Sequence, residues 1–280
     1  MQARILAALV FAAIATPLGA QQWRTVDVSR QLRDSSMHDV RIRYGAGSLT
    51  LRPTDDPVLF SMHLRYDEEA VTPVHEYDAA DRSLTLGLTD ANIRVGRNGG
   101  KRQLGELRVS LSRQVPMNLD LELGAAEANL DLGGLALRDV KVATGASDSD
   151  IRFTAPNPTQ MRRLSVSAGA ASLDVSGLAN ANVEEVHVTG GAGSIDLDFA
   201  GALQRNVDVD AEMALGSVTV RVPRDAGVRV ELSRFIAGFN HFGLEKRGDA
   251  WYSDNWDRAQ RRMTIRVKTV FGSVSVVRGD

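Results

Sequence analysis

The sequence predicts an all-β fold, a solenoid whose coils are about 22 residues long. Three observations predict it. Apolar and polar residues alternate strictly through most of the chain, which places one face of each strand in a core. Helical periodicity is not sustained anywhere. The second half repeats. The apolar-x-apolar triplets that start at Leu130, Ile151, Leu173, Ile195 and Val218 follow one another at 21, 22, 22 and 23 residues. A fixed period in the twenties marks stacked supersecondary units that cannot bury their strands alone. The competing reading is a β-sandwich with duplicated hairpins, where regular repeats are uncommon.

The chain opens with an address. Arg4 gives a short positive region, Ile5 to Ala15 is apolar, and Ala20 is a small residue suited to a cleavage site. Residues 1–20 therefore read as a signal peptide. The run is shorter than the roughly 20 residues that a membrane-spanning helix needs, and no later run is long and apolar enough. An exported protein follows, periplasmic or at the cell surface, with no transmembrane span once the leader is removed. Residues 21–115 read as an N-terminal β module. Val40 to Tyr44, Leu59 to Tyr66 and Leu107 to Ser112 alternate there. The run Asn98 to Arg102 reads as a hairpin tip. Residues 116–280 read as the solenoid, continuous with that module.

Within the repeat, each triplet follows a glycine: Gly124, Gly145, Gly169, Gly193 and Gly216. Glycine accepts the tight corner that a coil requires. Stacking predicts one inward ladder of Leu130, Ile151, Leu173, Ile195 and Val218, and a second of Leu132, Phe153, Val175, Leu197 and Val220. Each buried aliphatic side chain contributes roughly 1.5–3 kcal/mol. Each triplet is followed by a second alternating run, at Val140, Leu164, Val186, Val207 and Val228. Copies at Gly45 to Leu51 and Phe271 to Val276 flank the array. Residues 234–262 interrupt it with Phe235, Phe239, Phe242, Trp251, Tyr252 and Trp256, an aromatic excursion that caps one end. Ser253 to Arg262 is predicted as a short helix capped by Ser253 or Asp254.

Composition removes several function classes. Lys+Arg 33 against Asp+Glu 35 gives −2, with no electrostatic footprint for nucleic acid. Cys is 0, which excludes disulfides, thiolate metal sites and cysteine nucleophiles. His38, His63, His75, His187 and His241 have no HxH or HExxH spacing. No nucleophile elbow or phosphate loop occurs. No catalytic, cofactor or metal residue is therefore assigned, and the chain is expected not to be an enzyme. Asp131, Asp174 and Asp196 recur at matching positions. They read as a solvated strand face, with a cation or glycan strip as the alternative. Trp251 and Trp256 read first as the core of the cap. With Arg258, Arg261 and Arg262 they are also the candidate binding patch, facing an anionic headgroup or an envelope polymer.

Gly216 to Val230, GSVTVRVPRDAGVRV, resembles a segment of the toastrack, or putative-adhesin, family. That family includes the C-terminal domain of LiaF-type cell-wall-active antibiotic response proteins. Trp251-Tyr252-Ser253, Ile265-Arg266-Val267 and Phe271 to Val276 fit it too, and Tyr44 to Leu51 is similar to its N-terminal module. The resemblance implies a right-handed β-helix-like fold in a bacterial envelope, with some members linked to envelope stress. The chain departs from the LiaF type in lacking transmembrane helices. Three functions follow as expectations. The preferred one is a non-catalytic envelope module, adhesin-like or stress-related, that binds an envelope protein or polymer. The others are a polysaccharide lyase and a scaffold that stacks copies of itself.

Overall fold

The computed structural model describes residues 22–69, 71–88 and 105–279. The predicted leader and the Asn98–Arg102 turn lie outside the described residues. Among the described residues sixteen strands form one sheet. The first six are β1 (Trp23–Gln31), β2 (His38–Thr54), β3 (Val58–Asp67), β4 (Pro73–Asp78), β5 (Ser83–Leu88) and β6 (Gly105–Ser112). β7 (Pro116–Asp131), β8 (Ala136–Thr144), β9 (Asp148–Arg152), β10 (Met161–Ser176), β11 (Val183–Asp198) and β12 (Val207–Val222) follow. The last four are β13 (Gly227–His241), β14 (Leu244–Arg247), β15 (Ala250–Ser253) and β16 (Arg262–Arg278). Among the described residues no helix is long and apolar enough to cross a membrane.

The strands are long because each joins two predicted runs. β10 holds Leu164 to Val166 and Leu173 to Val175 in one strand, with Gly169 between them. Parallel partners then stack as rungs: β2, β7, the pair β8 and β9, β10, β11, β12, β16 and β13. β5 and β6 flank the two halves of β2 in parallel. Antiparallel β1 and β3 extend the β6 side, and β4 pairs with β5.

Alternation sets which side chains face the core. Leu84, Val40, Leu119, Val140, Leu164, Val186, Val209, Ile265 and Val230 form one in-register ladder, and all are buried. Val109, Leu51, Leu130, Ile151, Val175, Leu197, Val220 and Val276 form another.

This second ladder corrects the predicted one. Leu130 and Ile151 do not lie beside Leu173, Ile195 and Val218. Leu173 is opposite Ser149, and Ile151 is opposite Val175. Successive partners Leu130, Ile151, Val175, Leu197 and Val220 are 21, 24, 22 and 23 residues apart. The sequence spacing missed one interval by two residues. A slip of two keeps every side chain on its face, so the hydrophobic pattern alone could not expose it. Leu132 and Phe153 belong with Leu178, Phe199 and Val222 at the next corner, as the backbone hydrogen bonds there show.

Two further expectations change at the C-terminal end. The rung order is not chain order: β16 enters between β12 and β13. Residues 234–241 also continue a rung instead of interrupting the stack, with Ile236 opposite Phe271 and Phe239 opposite Val274. The excursion is the β14–β15 hairpin and the turn after it. The predicted helix over Ser253 to Arg262 is that turn, in which Ser253 O accepts from Trp256 N and Asn255 O from Arg258 N and Ala259 N. Ser253 does not cap it. Its Oγ is occupied with Val228 N and Asn255 Oδ1.

Candidate functional site

At the bend of the earlier rungs a glycine meets the rung before it. A Cβ on Gly124 would lie 2.1 Å from Gly45 O, on Gly169 2.7 Å from Gly145 O, and on Gly191 2.6 Å from Gly169 O. Only glycine fits so close an approach. The column Gly45, Gly124, Gly145, Gly169 and Gly191 thus leaves a strip of bare backbone along the stack. The β4–β5 hairpin rises beside it with Val74, Glu76 and Leu88. Together they enclose an open groove of about 1210 Å³, floored by Gly45, Gly124, Gly145 and Gly169.

The groove is chemically mild. Arg43 pairs with Glu122 at 3.1 Å, so the charges at its rim are partly neutralised. Ser167 and Thr189 line it, and the Thr189 hydroxyl donates to Ser167 Oγ at 3.2 Å. It offers hydroxyls, backbone and a short apolar wall. These are the means of holding an extended chain. Sequence reading found Gly124, Gly145 and Gly169 but took them only as corners, and its Gly193 and Gly216 belong to a second column with Ala171 and Gly272. It missed Val74, Glu76 and Leu88, because nothing in the sequence says that β4–β5 stands beside that column.

The aspartates arrange differently from the sequence expectation. Asp174 and Asp196 are in register, and the third member is Asp150, not Asp131. Asp131 is opposite Arg152 and holds a turn, accepting from Gly133 N at 2.9 Å and from the Thr154 hydroxyl at 2.7 Å. Burial, then the charges of Asp150 and Asp196, raise the Asp174 carboxyl above its ordinary value. Arg152 Nε donates to Asp150 at 2.9 Å and neutralises that end of the row. Among the described residues no three acidic or histidine groups converge as metal ligands. The histidines are dispersed: His38 reaches Tyr77, His63 pairs with Asp27, and His187 lies 3.7 Å from Asp210.

The predicted aromatic-basic patch divides between two faces. Neighbours in a strand point opposite ways. Trp251 turns to the core, where its ring lies 3.8 Å from His241 and 5.4 Å from Phe239, centroid to centroid. Tyr252 turns outward and meets Trp256 edge-on at 5.5 Å. Arg262 lies over Trp256 at 5.3 Å and donates to its carbonyl oxygen. Arg258 and Arg261 are exposed on the same turn. Trp256 and the arginines share a surface, and Trp251 plugs the end of the stack.

A family model described as the N-terminal domain of toast_rack matches residues 19–176. A second, described as cell wall-active antibiotics response LiaF, C-terminal, matches residues 177–276. No curated protein sequence matches. Among solved structures, a "putative cell adhesion protein" from Clostridium sporogenes is 15% identical, with a TM-score of 0.51, covering 92% of this chain and 100% of its own. A "putative adhesin" from Bacteroides fragilis is 10% identical, with a TM-score of 0.37, covering 92% and 98%. A "putative lipid binding protein" from Parabacteroides distasonis is 13% identical, with a TM-score of 0.32, covering 92% and 97%. At such identities the first likeness speaks for the fold alone, and the other two are too distant to add to it. The first family model spans more than half of the residues, over four of the five glycines of the column, and the chain therefore belongs to the toast_rack family.

Proposed function

We propose that this chain is an exported, non-catalytic module of the bacterial cell envelope, adhesin-like or engaged in envelope stress, that holds an extended polymer or peptide across its rungs. The observation that carries this reading is the glycine-floored groove. Rungs in a sheet are about 4.8 Å apart, so a floor of four glycines runs about 14 Å along the stack. That is room for several residues of an extended chain. Its carboxylates are Glu76 and Glu122, and Glu122 is held by Arg43. The names of the matching C-terminal family model and of the C. sporogenes structure, one cell-wall-related and one adhesive, point the same way.

The proposal takes residues 1–20 as a removed leader, and 21–115 and 116–280 as successive parts of one right-handed solenoid with coils of about 22 residues. Handedness follows the general rule for parallel crossovers. No cofactor is needed. The partner is an envelope protein or polymer, and the Trp256, Arg258, Arg261 and Arg262 surface is a second, weaker contact.

Binding of the purified protein to peptidoglycan strands, to uronate polymers and to an extended peptide library tests this directly. The wild type is expected to retain at least one of them. Ser167→Trp, an outward-facing change that fills the groove, is expected to abolish retention while leaving the melting temperature unchanged. Retention unaffected by Ser167→Trp removes the groove from the account. Release of unsaturated sugars from the uronate polymers would replace the module by a lyase.

A further inference from the structure

The corner of the stack changes character toward its C-terminal end. Five rungs carry Gly-Ala there: Gly45-Ala46, Gly124-Ala125, Gly145-Ala146, Gly169-Ala170 and Gly191-Ala192. The last three carry Ala214-Leu215, Val270-Phe271 and Phe235-Ile236, in register with those before them. All of the large side chains are exposed: Leu215 by 56%, Phe271 by 44%, Val270 by 44%, Ile236 by 62% and Phe235 by 75%. Phe235 and Phe271 meet edge-on at 6.1 Å. A contiguous apolar ridge on a surface marks an interaction site.

The ridge ends on an open strand edge. β13 is the outermost rung, and β15 pairs with it only at Arg229 and Val230. From Glu231 to His241 no strand lies beside its outward edge among the described residues. Proteins commonly guard such edges with charge or proline. The opposite end of the sheet is guarded in that way, since β1 carries Arg24, Asp27 and Arg30. Phe235 to Phe242, FIAGFNHF, carries neither charge nor proline. It has the composition of a segment that pairs with itself. Gly238 lies at its middle, and a Cβ there would meet nothing within 4 Å. Nothing in the chain itself crowds that position, which leaves it open to a neighbouring strand.

We propose that a second copy of this chain pairs antiparallel with the β13 edge, across a two-fold axis near Gly238. Centred there, Arg234, whose guanidinium donates to Ala237 O at 2.6 Å, falls opposite the partner's Phe242 and does not face its own copy. In that register Phe235 and Ile236, the outermost residues of the ridge, lie opposite the partner's His241 and the partner's Asn240. A lipid surface could cover the ridge but could not satisfy the row of backbone N–H and C=O groups. Because the β1 edge is charged and the Phe235 to Phe242 segment of the β13 edge is not, pairing is tail to tail. It closes as a dimer and does not propagate as a fibre.

Sedimentation velocity of the purified protein from about 1 to 200 μM tests this. A monomer–dimer equilibrium is expected. Ile236→Lys and Gly238→Glu are each expected to give monomer throughout, with unchanged circular dichroism and melting temperature, and Asp27→Ala at the other end is expected to leave the dimer intact. Monomer at every concentration overturns the proposal, as does a dimer that survives both β13 variants. Species that grow without limit overturn the closed two-fold form. Flotation of a monomeric wild type with anionic vesicles assigns the ridge to a membrane instead.

Discussion

At the scale of single residues, the fold is most exacting where one rung's backbone touches the next. A Cβ on Gly216 would lie 1.9 Å from Gly193 O, and the backbone there has φ +138°. Gly216→Ala should therefore cost about 2 kcal/mol or more. The same change at Gly238, which has open space around it, should leave thermal melting unchanged or slightly raised. Asn157 is a comparable point among the loops. Its buried amide accepts from Leu137 N and donates to Leu137 O at 2.9 Å and Ala181 O at 3.2 Å, tying three successive turns together. Asn157→Ala leaves those backbone groups without their partner inside the protein and should cost about 2–3 kcal/mol by denaturant unfolding. Asp174 carries the opposite sign. Folding raises its carboxyl above the ordinary value, by burial first and neighbouring carboxylates second. It thus favours the folded state at acid pH, and that contribution is lost as pH rises through its folded value. Being on the surface, the effect is small. Asp174→Asn should raise the melting temperature by about 1 °C at pH 7, and the gain should close as the pH falls toward 3.

At the scale of elements, the question is what finishes the stack. The β14–β15 hairpin adds only a two-residue ladder to β13, so its value lies in the side chain that it inserts. Trp251→Ala should cost about 2 kcal/mol, or roughly 4 °C in melting temperature, because Phe239 and His241 lose their cover. Trp256→Ala removes an outward contact with Tyr252 and should cost about 0.5 kcal/mol. A larger loss at Trp256 than at Trp251 would reverse the roles assigned to them. β16 is the other finishing element. It is the last strand in sequence but an interior rung, bonded on both sides by β12 and β13. Removing residues 262–280 should leave a chain without cooperative thermal unfolding, although the cut is C-terminal.

At the scale of the whole molecule, alternation in the sequence was enough to place Val40 to Tyr44, Leu107 to Ser112 and the second run of every repeat in strands, with the correct faces inward. The repeat was legible because glycine and alanine recur where backbones touch. What failed did so for physical reasons. The 24-residue step between Ile151 and Val175 hid behind the two-residue period of a strand, so the predicted ladder kept its face and lost its register. β16 looked like a fading copy because strand patterns carry no information on which neighbour a strand will join. The groove escaped because its floor has no side chains, and its wall comes from a hairpin that pairs with β2 far from the repeat. The apolar ridge was visible as bulky residues at 214–215, 235–236 and 270–271, but only the rung order brings them side by side. The central claim is a stack of parallel rungs in this unequal register. The chain contains no cysteine, so paired cysteines report on it cleanly. In-register partners lie about 5 Å apart, within reach of a disulfide, while a two-residue slip puts them about 8 Å apart. Mild oxidation should close Asp150→Cys with Asp174→Cys and leave Arg152→Cys with Asp174→Cys open. Closure of the second pair and not the first would contradict the register on which the groove and the ladders rest.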